Sequence, residues 1–283
     1  MLRPSQLLDK VACRLRTSRD RRYVVDGVAI TLPKGHLLDW YQKLHPKYDR
    51  WLPVLAAHLP RDSVVIDVGA NIGDSAVPFL RRNIRTVCVE PSGFFQKYLS
   101  KNIADNGFAD LAVVVKALVG CESGATHLRI DRGTARVSDR QHSNSRVEAI
   151  SQSMSLDEII GQAGGVTFLK IDTDGFDHDV LASGLQGIRT HHPIIYFENT
   201  VSVENVMGYE KVYDALETIG YSDIVVFDNR GHLMLNGTTW GTLKQINRYM
   251  MEPGVPGIPY LDVLTYCEEQ RAVIGEALRA YLR

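Results

Sequence analysis

Val64-Val65-Ile66-Asp67-Val68-Gly69-Ala70-Asn71-Ile72-Gly73-Asp74 constrains the fold of this chain more than any other stretch. The three apolar residues before Asp67 suit a strand covered on both faces. Gly69 takes positive φ at no steric cost, and Asn71 is among the few non-glycine residues that tolerate it. Gly73 lacks a Cβ, so the backbone there can pass close to a ligand. Asp74 and Ser75 are suitable caps for a following helix, and Pro78 falls in its first turn, where amides lack partners anyway. A strand, a turn and a helix in this order form the corner that cradles a nucleoside cofactor at the carboxyl end of a strand.

A second carboxylate extends the pattern. Thr86-Val87-Cys88-Val89-Glu90-Pro91 predicts the next strand, with Glu90 at its tip, roughly twenty residues past the glycines. An acid there can grip both hydroxyls of a cofactor ribose. The glycine spacing departs from the dinucleotide fingerprint, because Asn71 stands where its second glycine would be. A pyrophosphate needs that close approach; S-adenosylmethionine has no phosphate and does not. The pattern therefore favours a methyl donor over NAD. Asp67, Gly69, Asn71, Gly73, Asp74, Glu90 and Pro91 are the candidate cofactor residues, with Lys116 and Ala117, at the third strand's end, bordering the adenine.

From Val64 the sequence alternates strand and helix, which predicts an α/β fold with a mostly parallel sheet. Strands are expected near 64–68, 86–90, 111–118, 166–172 and 194–198, and an antiparallel end near 223–228 and 232–236, seven in all. Helices are expected near 75–82, 94–106, 178–185 and 209–219. Residues 119–152 form a β-insertion, with strands at 125–131 and 146–151. Its tip carries Arg132, Arg136, Arg140 and Arg146 and is either a solvated loop or a clamp for an acidic substrate such as a phosphosugar. Before the sheet, Tyr23 to Pro33 predicts a hairpin turning on Asp26-Gly27, and residues 36–59 a helical cover broken near Pro46 and Pro53. Among the aromatics of that cover, Trp40, Tyr41, Tyr48 and Trp51, one or two could wall the cofactor pocket, since a sulfonium is attracted to aromatic faces. Residues 5–16 put Leu7, Leu8, Val11, Ala12 and Leu15 on one helical face, followed by Arg19, Arg21 and Arg22. This helix either packs on the core or makes a weak peripheral contact with an anionic membrane surface. The proline-rich stretch 252–259 leads to a last helix over 261–281. The expected divisions are 1–60 for the N-terminal helix, hairpin and cover, 61–240 for the cofactor-binding domain, and 241–283 for a C-terminal helical extension.

Composition narrows the partners. With 45% hydrophobic residues among 283 and a formal net charge of −1, there is apolar material for one large core and no general attraction to nucleic acid. Cys13, Cys88, Cys121 and Cys267 are scattered, without ligand spacing, as reduced thiols in a cytoplasmic protein would be. Composition leaves the oligomeric state undetermined.

The chemistry concentrates at the fourth strand. Methyl transfer is an in-line displacement, so much of catalysis is alignment, and a hydroxyl nucleophile must also lose a proton to a nearby base. Lys170-Ile171-Asp172-Thr173-Asp174-Gly175-Phe176-Asp177-His178 supplies three carboxylates and an imidazole within nine residues. Asp172, at the strand tip, is either the base or a structural carboxylate paired with Lys170. His178 titrates near neutrality and either accepts a proton or faces solvent in a first helical turn. Asp174 and Asp177 either act at the site or cap the helix. Asp172, Asp174 and Glu198 are also a candidate oxygen-ligand set for Mg²⁺, although no metal ligand is assigned.

These motifs resemble the FkbM family of S-adenosylmethionine-dependent methyltransferases, which have a Rossmann-like fold. The resemblance runs over roughly residues 60 to 230. It rests on Asp67 to Asp74, Glu90-Pro91 with Leu99 and Asn102, Ser155-Leu156-Asp157-Glu158-Ile159, and Phe168 to Asp177, with Gly184 and Glu198 beyond. The family's glutamates are aspartates here, at Asp174 and Asp177. The resemblance implies an O-methyltransferase acting on a hydroxyl of a sugar, glycan or related small metabolite. An NAD(P)-dependent oxidoreductase and a non-catalytic module that keeps the cofactor fold are the alternatives.

Overall fold

Asp26 and Gly27 have φ of 45° and 79°, both positive, as a tight hairpin turn requires. They join β1 (Arg21–Val25) to β2 (Val28–Leu32). The computed structural model describes residues 18–120, 127–131, 134–137, 146–149, 152–253 and 257–283. The N-terminal basic helix and most of the arginine-bearing tip lie outside these residues. The cover is α1 (Leu38–Leu44) and α2 (Trp51–His58), interrupted at Pro46 as expected, with Pro53 inside the first turn of α2.

The sheet begins with β3 (Val64–Val68), β4 (Arg85–Val89) and β5 (Ala112–Val115), linked by α3 (Val77–Leu80) and α4 (Gly93–Asp105). In the insertion, β6 (Leu118–Val119) pairs with β10 (Ser153–Met154). Between them β7 (His127–Asp131) pairs on either side with β8 (Thr134–Val137) and β9 (Arg146–Ala149). Next come α5 (Leu156–Ala163), β11 (Phe168–Ile171), α6 (Asp177–Ala182), α7 (Leu185–His191) and β12 (Ile194–Asn199). After α8 (Val206–Ile219), the chain continues through β13 (Asp223–Asp228), β14 (Leu233–Thr238) and α9 (Trp240–Met250). It ends with β15 (Leu261–Tyr266) and α10 (Arg271–Tyr281).

The main sheet has eight strands, in the order β14-β13-β15-β12-β11-β3-β4-β5, one more than expected. The additional strand is β15, where a helix was predicted from residue 261. It lies antiparallel between β12 and β13, and its side chains alternate. Leu261 and Val263 enter the core on one face, Leu264 and Tyr266 on the other. A strand covered on both faces has no polar side to reveal its period of two.

The same alternation organises β3, with Ile66 and Val68 on the first face and Val65 on the second. Burying each such side chain contributes about 1.5–3 kcal/mol. The strands from β3 to β5 run outward in one direction, while β11 and β12 lie on the other side of β3. The connectivity reverses between β3 and β11, and a crevice opens above their carboxyl ends.

Candidate active site

Gly69 holds the centre of that crevice. Its φ is 80°, and a Cβ on it would lie 1.9 Å from the carbonyl oxygen of Asp172. Only glycine lets the ends of β3 and β11 come this close, with the Asp172 amide donating to the Val68 carbonyl at 3.0 Å. The amides of Gly69 and Ala70 both donate to the Val89 carbonyl, at 2.9 and 3.0 Å, which ties the turn to β4. Asn71 is left-handed at φ 49° and Gly73 at φ 90°. Asn102, on α4, donates to the Ile72 carbonyl at 2.9 Å and accepts the Thr31 amide at 2.7 Å, so one amide side chain fastens both hairpin and turn.

Glu90 closes the other side. One carboxylate oxygen accepts the Asn71 amide and the other the Ser92 amide, each at 2.9 Å. The side chain is buried, and burial raises it to about 7 against the pull of those two amides. Each oxygen retains a lone pair for a further donor.

A chain of charges runs from the crevice into the sheet. Lys170 is buried and its ammonium lies 3.2 Å from Asp67 and 3.3 Å from Asp172. Asp67, 1% exposed, also accepts the Ser75 hydroxyl at 2.5 Å. This corrects two expectations. Asp67 does not line the crevice; it anchors Lys170 and the turn from below. Ser75 does not cap the following helix, because its hydroxyl is turned to Asp67.

The crevice has a volume of about 580 Å³. Gly69, Asn71, Asp74, Glu90, Pro91 and Ala117 line it, as do Asp172 and Asp174. Gly73 does not, and acts only on the path of the turn. His178 does not line it either. Its ring packs 4.9 Å from that of Tyr209 on α8, over Gly208, and burial lowers its pKa. The imidazole is held between α6 and α8, 13% exposed, away from the crevice. Asp177 is no helix cap. Its buried carboxylate accepts the Thr173 amide and hydroxyl and the Glu198 amide, at 3.2, 2.8 and 3.1 Å, joining the ends of β11 and β12.

Several lining residues were not singled out from the sequence: His36, Asp49 and Tyr260. Of the four aromatics of the cover, Tyr41 and Tyr48 reach the crevice and Trp51 is core. His36 is buried, which lowers it to about 4 and keeps it neutral. Its Nδ1 accepts the Leu38 amide at 3.3 Å, which leaves Nε2–H facing the Asn71 side-chain oxygen at 3.4 Å. Asp49 is left-handed at φ 56°; burial, then Asp74 and Asp172, push its carboxyl up to about 8. Glu198 accepts the Thr200 hydroxyl at 2.5 Å and lines the crevice.

Asp172, Asp174 and Glu198 do not bring their oxygens within 4.8 Å of one another. Among the described residues only His192, Cys267 and Glu269 form a set that close, and none of them lines the crevice. Burial raises the Cys267 thiol to about 11, so it is protonated at neutral pH. Among the described residues no helix is long and apolar enough to cross a membrane.

An open, mixed sheet with a glycine turn at its switch point and an acid at the neighbouring strand tip is a Rossmann-like cofactor-binding fold. The methyltransferase FkbM domain model matches residues 67–222, just over half of the chain. The chain thus belongs to the FkbM family of S-adenosylmethionine-dependent methyltransferases, and that membership sets the oxidoreductase alternative aside. No curated protein sequence matches it. Among solved structures, a Pyrococcus horikoshii protein assigned to the transferases superposes with a TM-score of 0.50 at 13% identity, over 89% of this chain and 73% of that one. TYW2 of the same organism, in complex with MeSAdo, gives 0.49 at 14% identity, over 88% and 72%. An O-methyltransferase from Bacillus cereus in complex with SAH gives 0.44 at 10% identity, over 94% and 92%. At such identities the first likeness concerns the fold, and the other two carry no further weight.

Proposed function

We propose that this protein transfers a methyl group from S-adenosylmethionine to a hydroxyl of a sugar, glycan or related small metabolite. The observation that carries the reading is one crevice lined by Glu90, directly after β4, and Asp172, directly after β11, together with the side-chain-free Gly69. When bound, the cofactor supplies a methyl group on a sulfonium, whose departing thioether is an excellent leaving group. Glu90 would accept both ribose hydroxyls through its remaining lone pairs. Val89, Ala117, Leu118 and Val119 offer the apolar wall an adenine needs.

On the acceptor side, Asp172 would take the hydroxyl proton as the oxygen attacks the methyl carbon and the carbon–sulfur bond breaks, its electron pair leaving with sulfur. Lys170, fixed by Asp67, would hold the Asp172 carboxylate in place. Fully formed acid–base catalysis contributes about 10²–10⁴-fold. The test has two arms. S-adenosylhomocysteine is titrated calorimetrically into wild type, Glu90→Ala and Asp172→Asn. Radiolabelled methyl transfer into fractionated extract is then followed, with and without Mg²⁺. Glu90→Ala should lose most affinity, while Asp172→Asn should bind as wild type and transfer at least about 100-fold more slowly. Unchanged affinity in Glu90→Ala would remove the proposed cradle, and unchanged transfer in Asp172→Asn the proposed base. Should no acceptor fraction be labelled at all, the protein would be a cofactor-binding module without catalysis.

A further inference from the structure

The charge inside the crevice exceeds what cofactor binding needs. Six carboxylates line it among the described residues, those of Asp49, Asp74, Glu90, Asp172, Asp174 and Glu198, against the single ammonium of Lys170. That ammonium is already shared between Asp67 and Asp172. His36 adds no charge at neutral pH, because burial lowers it to about 4. S-adenosylmethionine brings two positive groups and one carboxylate, a net charge of one, so further acids, which burial holds protonated, remain able to give up a proton to meet a second cation.

Asp49 and Glu198 are the two of these acids that belong neither to the glycine turn and its ribose acid nor to the segment after β11. Asp49 makes no hydrogen bond or ion pair among the described residues. It precedes the matched segment 67–222, so it is not part of the family's shared domain. The backbone that presents it is held tightly. A Cβ on Gly231 would lie 2.2 Å from the Lys47 carbonyl oxygen, and the Tyr41 and Tyr48 rings meet edge to face at 4.8 Å. Burial, then Asp172 and Asp177, push Glu198 well above the usual carboxylate range. Desolvated acids crowded by other acids are relieved by an incoming cation, whereas an anion meets repulsion that water screens poorly. Tyr41, Tyr48 and Tyr260 line the same space, and aromatic rings suit both a sugar ring and a cation.

We propose that the acceptor is a polyhydroxylated compound bearing a protonated amine, an amino sugar in class, whose ammonium takes its counter-charge from Asp49 and Glu198 while its hydroxyl faces Asp172. Phosphosugars and uronates are excluded on the same ground. This inference rests on the methyltransferase reading, and the two fail separately.

The test uses the full chain saturated with S-adenosylhomocysteine and titrated with glucosamine, glucose and glucuronate. Glucosamine should bind at least about tenfold more tightly than glucose, and glucuronate more weakly than either. The preference should shrink as salt is raised. Asp49→Asn and Glu198→Gln should each reduce it severalfold, with affinity for glucose and for S-adenosylhomocysteine within about twofold of wild type. Equal binding of glucose and glucosamine, tighter binding of glucuronate, or no binding of glucosamine at millimolar concentration would overturn the proposal. Loss of S-adenosylhomocysteine affinity in Asp49→Asn would assign that carboxylate to the cofactor's amine and overturn its role here. Failure of wild type to bind S-adenosylhomocysteine would instead sink the methyltransferase reading.

Discussion

Gly69 shows how one residue can decide a site. Its φ of 80° alone would strain an alanine, and the 1.9 Å approach of a Cβ to the Asp172 carbonyl rules one out unless β3 and β11 separate. Gly69→Ala should therefore cost about 2–4 kcal/mol and abolish S-adenosylhomocysteine binding, as urea melts and calorimetry would show. A variant with wild-type stability and affinity would mean that the strand ends tolerate separation. The need for glycine there was legible in the sequence, since positive φ after an apolar strand has few other uses. Its specific neighbour was not, because Asp172 lies more than a hundred residues away. Asp67 failed in the opposite way. A carboxylate at a strand end was expected to meet ligand, but strand register points it at Lys170 and Ser75, beneath the floor.

At the scale of elements, α6 and α8 settle the role of His178. Its ring lies against Tyr209 because residue 208 is glycine; a Cβ there would come within 2.2 Å of the imidazole. Gly208→Ala should destabilise the protein by about 1–3 kcal/mol, and by less in a His178→Ala background, where the clash is gone. Chemical denaturation of the two single variants and the double variant measures this coupling. Strictly additive losses would show that the ring does not pack there. Methyl transfer by His178→Ala should stay within about threefold of wild type, as for a residue outside the crevice. The Ser92 cap at the start of α4 sits close to the expected helix boundary, whereas α5 and α9 are capped by side chains and neither was expected. Ser155 and Glu158 form a reciprocal capping box at the start of α5, and Gly164 ends it with φ 75°. No such signal marks β15. Its apolar run fits a buried helix or a buried strand equally well, and only pairing with β12 and β13 resolves it.

Across the whole molecule, the buried acids link stability to pH. The folded values of Asp49 (about 8), Glu90 and Asp177 (about 7) and Asp74 (about 6) all lie above their unfolded ones, near 4. A raised acid holds its proton in the folded state after the unfolded chain has released it. Its contribution is therefore complete below the unfolded value and is lost as pH rises through the folded one. His36, lowered from 6.5 to about 4, acts in the opposite sense but only below its unfolded value. Between pH 6.5 and 8 the acids act alone, so the Tm of the ligand-free protein should fall by a few degrees, and by less in Asp49→Asn. Scanning calorimetry across that range checks the sign; a rising Tm would mean that these carboxylates are ionised in the folded state.

The local pattern by itself determined the alternating α/β architecture, the glycine turn, the acid at the tip of β4 and the concentration of carboxylates after β11. Each of these depends on residues within one strand, turn or helix cap, where periodicity and backbone sterics act directly. Tertiary structure alone decided which carboxylates face ligand and which lie beneath, that His178 packs against Tyr209, and that the segment carrying Tyr48 and Asp49 completes the wall. Those outcomes depend on strand order, register and the close approach of distant backbone. Sequence neighbours do not encode them, because the energy that selects them comes from surfaces that meet only when the whole sheet is assembled.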